Sequence, residues 1–188
     1  MKKAVFHLVL CTLFTAVTFA QGTTITGTAL IYGTGLNTRT ITRPFTLYVN
    51  GRTSLEDLAQ QLKTLDRGGQ DELLRQIEGT DVGRFSLGNN VGVPVNTIII
   101  DREGDDTRIR AIFKRWLGFG ELRRGLRSVD YPFGYVDIRI DPRTGQGSGT
   151  FIPAARIRSR GSNTIEVEDF GTFPGRLMGV QVRGRQIL

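Results

Sequence analysis

The chain has 188 residues, 25 of them basic and 18 acidic for a net charge of +7, and its one histidine and one cysteine, His7 and Cys11, both fall within the first twenty positions. If those twenty residues are removed as a leader, no imidazole and no thiol remain. That would exclude a Ser-His-Asp triad, a cysteine nucleophile and every zinc site built from histidine and cysteine.

The leader reading rests on Met1-Lys2-Lys3, the apolar run from Ala4 to Ala16 and the small-residue ending Thr18-Phe19-Ala20. A basic start, an apolar centre and a small cleavage site are the order of a secretory signal peptide. Cleavage after Ala20 is expected, giving an exported chain, periplasmic or secreted, with no transmembrane segment in its mature part. Lipidation is not expected, because Leu10 before Cys11 is not small. Residues 21–188 are long enough for a single β-rich domain with its own core.

Without Lys2 and Lys3 the chain keeps 23 basic residues against 18 acidic ones, and 21 of those 23 are arginine. A GC-rich genome is one source of such a bias. The other is an anionic partner, since guanidinium forks grip carboxylates and phosphates with two prongs. An anionic envelope component or another envelope protein is the partner class this suggests. Nucleic acid is not expected, because no run of five or six basic residues occurs.

Thr23 to Tyr32 alternates threonines with Ile25, Ala29 and Ile31, the period of a half-buried strand. A glycine-bearing loop at Gly33-Thr34-Gly35 follows; it lacks the Gly-Lys-Ser/Thr ending of a phosphate loop and reads as a turn. Phe45, Leu47 and Val49 alternate as a second strand. At Ser54 the period changes: Leu55, Leu58, Ala59, Leu62 and Leu65 share one helical face. Ser54 is a suitable N-cap, with Glu56 and Asp57 in the first turn. Leu58 and Leu62 should be buried against the sheet. Gly68-Gly69 should break this helix, and a shorter turn carrying Leu73, Leu74 and Ile77 should follow.

From Pro94 onward the pattern is β. Val95 to Asp101 and Thr107 to Trp116 flank an acidic loop, and a pivot at Gly104 would set Ile99 against Ile109, Thr97 against Ala111 and Val95 against Phe113. Arg108 and Arg110 would then share the other face. Phe133 to Asp141 places Val136, Ile138 and Ile140 on one side and Asp137, Arg139 and Asp141 on the other. A glycine-rich turn from Pro142 to Gly149 leads into Phe151 to Arg158. A tip at Gly161-Ser162-Asn163 would bring Arg158 opposite Glu166, Arg156 opposite Glu168 and Ile157 opposite Val167. Apolar and ionic pairs agree on that register. A last strand runs from Leu177 to Val182. The fold expected is mainly β, on the border of α+β: an antiparallel β-sandwich or barrel of about eight strands with one helical excursion at 54–78.

The acidic cluster Asp101, Glu103, Asp105 and Asp106 lacks the spacing of a calcium loop and reads as a hairpin turn, so no metal ligand and no cofactor are assigned. Asp137 and Asp141 lie four strand residues apart, about 13 Å. A carboxylate pair for glycoside hydrolysis needs about 5–9.5 Å. Arg139 between them indicates an ionic ladder. No catalytic residue is assigned. The candidate binding residues are Arg115, Trp116, Arg123, Arg124, Arg127 and Tyr131, where guanidinium groups interleave with aromatics and glycines. The leading reading of function is an exported, non-enzymatic module that binds a ligand or partner in the cell envelope or outside the cell. The alternative is a carboxylate-dependent hydrolase acting on envelope polysaccharide.

Overall fold

In this computed structural model, which describes residues 22–32, 39–115, 127–160, 165–171 and 173–184, the alternating apolar segments form a nearly closed, barrel-like sheet. The strands are β1 (Thr23–Ile31), β2 (Ile41–Val49), β3 (Gly83–Leu87), β4 (Val93–Val95), β5 (Thr97–Glu103), β6 (Asp106–Lys114), β7 (Phe133–Asp141), β8 (Gln146–Ser159), β9 (Ile165–Asp169) and β10 (Gly175–Arg183). Helix α1 (Leu55–Ile77) lies between β2 and β3, and a 3₁₀ turn (Arg127–Asp130) precedes β7. The order is β4-β3-β2-β1-β10-β8-β7-β6-β5, with antiparallel pairing throughout. Strand β9 sits off this path on the far half of β8. The architecture is therefore the mainly β one expected, resolved as a barrel, with β3 and β4 added to the expected strands.

The two ends of that order, β4 and β5, are consecutive in the chain, and Asn96 between them closes the barrel. Its backbone N–H donates to the Ile112 carbonyl at 3.0 Å, while its side-chain oxygen accepts from the Lys114 N–H at 2.9 Å. One stretch of chain thus pairs with β3 before Asn96 and with β6 after it. The single strand expected from Val95 to Asp101 is divided at this point.

The interior is filled. The Phe85 ring lies 5.1 Å from Phe151, 5.3 Å from Phe113 and 6.1 Å from Phe45, so aromatic side chains from four strands meet across the lumen. Ile25, Leu47, Ile109, Ile138 and Leu177 complete this core. A second apolar cluster lies on the outer surface, where Leu65, Leu73 and Ile77 of α1 cover Ile112, Phe133, Ile152 and Ile157.

The register of β5 on β6 differs from the expected one. Ile98 faces Ala111 and Ile100 faces Ile109, because the turn holds two residues, Gly104 and Asp105, and Glu103 pairs with Asp106. Gly104, at φ 65°, takes the left-handed conformation such a two-residue hairpin needs. Arg108 and Arg110 do share the face opposite Ile109 and Ala111, as expected, since that follows from β6 alone.

The β8–β9 register matches the expected one: Arg156 faces Glu168, Ile157 faces Val167 and Arg158 faces Glu166. Its ion pairs run diagonally instead of straight across. Arg158 reaches Glu168 at 3.5 Å, Arg160 grips Glu166 at 2.8 Å, and Arg156 lies over the Tyr131 ring at 5.8 Å. Long side chains can span the diagonal, so the apolar face sets register while the charges choose among neighbours. The expected tip at Gly161-Ser162-Asn163, the segment Gly33-Thr34-Gly35 and the leader at 1–20 lie outside the described residues.

Candidate functional site

Helix α1 is fixed at both ends and spanned by open space in the middle. At its start the Ser54 side chain accepts from the Asp57 N–H at 3.0 Å, and Thr53 exchanges two hydrogen bonds with Ile98 on β5. At its end the Asn96 side-chain amide donates to the carbonyls of Ile77 and Thr80 at 3.2 and 2.8 Å. The helix kinks at Gly69, and beyond the kink Leu73 and Ile77 are buried.

Before the kink the expected burial is incomplete. Leu65 is buried, but Leu58 and Leu62 are only half-buried, and Leu55 is exposed. Leu58 and Leu62 form the roof of a cavity of about 100 Å³, open to solvent, between the helix and the outer wall of the barrel. Its floor is built by Ile99, Arg110, Ile112, Ile157 and Ile165. The Thr97 hydroxyl donates to the Gln61 side-chain oxygen at 3.0 Å, which ties one polar helix residue down beside the opening. Sequence periodicity places Leu58, Leu62 and Leu65 on the inner face of this helix correctly, while Leu55 and Ala59, expected on the same face, are exposed; it cannot give the gap beneath.

The floor carries one half-used cation. Arg110 donates through Nη2 to Asp101 Oδ2 at 2.8 Å, while its Nε is buried without a protein partner. The neighbouring arginines are saturated by contrast. Arg108 grips Asp137 through Nε and Nη2 at 2.9 and 2.6 Å and also reaches Glu103 at 3.2 Å. Arg139 holds Glu103 through both prongs at 3.1 and 3.0 Å. The ladder expected along β7, with Arg139 between Asp137 and Asp141, runs instead across three strands, with Asp137 on Arg108 and Arg139 on Glu103. It places Asp101, Glu103 and Asp137 each against a guanidinium group.

Tyr135 stands at the junction of the ladder and the apolar floor, 7% exposed, with its hydroxyl 3.3 Å from Asp137 Oδ2. Burial foremost, and then the Asp137 carboxylate, push its ionisation up from 10.0 to about 12 against the pull of Arg110 and Arg108. The folded state therefore favours the neutral phenol. Its contribution to stability is fully present below pH 10 and is lost as pH rises toward 12. Relative to Tyr135→Phe, the natural protein should lose about 2–3 kcal/mol across that window. Denaturant melts of both proteins from pH 9 to 12 measure the difference; parallel curves would refute it.

The residues singled out around the second loop fall into two groups. Arg115 and Tyr131 come together: Arg115 Nε donates to the Tyr131 carbonyl at 2.6 Å, and its backbone N–H donates to Pro132 at 2.9 Å. Tyr131 is buried, packs edge-to-face with Phe170 at 5.2 Å and donates its hydroxyl to Glu168 at 2.5 Å. Trp116, Arg123 and Arg124 lie outside the described residues, and so does the side chain of Arg127, whose backbone opens the 3₁₀ turn. That turn touches the helix, with the Gln70 side chain donating to the Asp130 carbonyl at 2.9 Å. Among the described residues, no helix is long and apolar enough to cross a membrane. The chain matches no family model, no curated protein and no solved structure.

Proposed function

We propose that this chain is an exported, non-enzymatic binding module of the cell envelope or its surroundings, and that the cleft between α1 and the barrel is its ligand seat. The observation that carries the reading is the open apolar cavity beneath Leu58 and Leu62. An amphipathic helix held over a gap forfeits the dispersion contacts its leucines would make, and a ligand of matching shape restores them. The helix is tethered at Thr53, Ser54 and Ile77, so the gap persists without the helix detaching. The exported part of the reading comes from the leader pattern at residues 1–20. Binding is favoured over hydrolysis because Asp101, Glu103 and Asp137 on the adjacent strands are held by arginines, whereas a hydrolytic pair must be free to exchange protons.

The test uses a small neutral probe. Titration with 1-hexanol, followed by amide NMR, should give saturable shifts confined to residues 58–65 of α1 and to Ile99, Ile112 and Ile157. Leu62→Trp, which places an indole in the gap, should weaken this binding at least about tenfold while leaving the thermal midpoint within a few degrees. Non-saturable shifts, or equal binding by Leu62→Trp, would overturn the assignment of the seat.

A further inference from the structure

The chemistry around the seat specifies more than an apolar ligand. The cavity is about 100 Å³, smaller than the roughly 150 Å³ apolar void that admits benzene. It suits the end of a short aliphatic chain and not a fused ring system. Its lining is aliphatic except for Thr97 and Gln61, which hydrogen-bond to each other, and Arg110, the one charged residue among those that line it. Asp101 occupies only one prong of that fork, through Nη2, and the adjacent Nε is buried with no protein acceptor. Arg108 and Arg139 on the same sheet face show what a filled fork is: each engages both Nε and Nη2 with a carboxylate. A buried donor left unpaired costs free energy that an incoming acceptor removes, and an anionic acceptor removes most.

We propose that the cleft takes a short-chain monocarboxylate, its aliphatic tail under Leu58 and Leu62 and its carboxylate on the Arg110 guanidinium, where a turn of that side chain brings the buried, unpaired Nε to it. This rests on the cleft being the ligand seat. Asp101, 2.8 Å from the same guanidinium, opposes the incoming anion. That repulsion limits affinity and supplies a second, opposite handle on the same contact. Asp137 lies directly across from Arg110 in the β6–β7 register and is held by Arg108 at 2.6 Å.

The experiment compares hexanoate with 1-hexanol, which share a chain length and differ in the head group. Hexanoate should bind about tenfold tighter than hexanol to the natural protein at low ionic strength, with the advantage shrinking in salt. Arg110→Gln should bring the two ligands within about twofold of each other by weakening hexanoate alone. Asp101→Asn should strengthen hexanoate several-fold and leave hexanol unchanged, an effect that loss of structure cannot imitate. Equal binding of the two ligands by the natural protein would overturn the head-group assignment while leaving the seat intact. A hexanoate preference that survives Arg110→Gln would do the same. Failure of hexanol and hexanoate alike would remove the seat and this inference with it.

Discussion

Asn96→Ala should destabilise the protein by about 3–5 kcal/mol, far more than removing a polar side chain from a strand surface. Asn96 is 5% exposed, and its side chain serves three backbone groups at once: the Lys114 N–H and the carbonyls of Ile77 and Thr80. Alanine would strand all three, each at a cost of about 1–3 kcal/mol where water cannot replace the amide. The loss is structural as well as local, because these bonds join the barrel seam to the end of α1. Hydrogen exchange should therefore quicken at Lys114 and around Ile77 together. Asn96→Asp keeps the acceptor for Lys114 but turns an anion toward two carbonyls, so it should be rescued in part at low pH. A denaturant melt showing less than about 1 kcal/mol of loss for Asn96→Ala would mean that the seam is held by backbone pairing alone.

Why the sequence announces some of these elements and conceals others follows from what each has to bury. β6, β7 and the β8–β9 hairpin carry side chains of contrasting polarity on two faces, so Ile109/Arg110 or Ile157/Arg158 reveals the period directly. β3 does not. Gly83, Phe85 and Leu87 point to the interior, but Gly83 offers no side chain and only five residues are available to show a pattern. The first residues of β8 were equally hidden. Gly147 and Gly149 look like turn glycines, yet they lie in the ladder, at positions where a Cβ would come within 2.1 and 2.2 Å of the Arg139 and Asp137 carbonyl oxygens. Close approach of backbones, not a reversal of direction, is what glycine supplies at those two positions.

The site was legible in a different sense. The leucine face of α1 is plain in the sequence, and so is the alternation that puts Arg110 beside Ile112 on one face of β6. What no local pattern contains is the distance between them. Leu62 lies 48 positions before Arg110 in the chain, and whether the two faces meet tightly or leave a cavity depends on the Thr53–Ile98 tether and the Asn96 clamp. Aromatics and arginines are dense around Arg115 and Tyr131, which is what marks them as binding candidates in the sequence. Tyr131 is instead a buried plug, with Phe170 on its edge and Glu168 on its hydroxyl.

Phe85→Ala should cost about 3–5 kcal/mol, and the size of that loss bears on how the cleft works. Phe85 is 3% exposed and is the ring that touches three others, Phe45, Phe113 and Phe151, from strands on different sides of the barrel. Its removal leaves a void in the centre of a filled lumen, and the lost ring contacts add to the transfer cost, at about 0.5–1.5 kcal/mol for each well-placed pair. Phe85→Leu keeps much of the volume and should cost clearly less, which separates cavity formation from loss of aromatic geometry. The denaturant m-value should stay constant in both variants if unfolding remains two-state. The same rigid interior explains why the outer cavity need not collapse. Ile112 faces outward from β6, whose inward neighbours Ala111 and Phe113 belong to the core cluster that contains Phe85. The floor cannot rise to meet the helix, so the space under Leu62 stays open to an occupant. Loosening the core should let it close: Phe85→Ala should weaken hexanol binding even though Phe85 lies on the other side of the sheet. Unchanged binding in a folded Phe85→Ala protein would show that the helix tethers alone hold the cleft open.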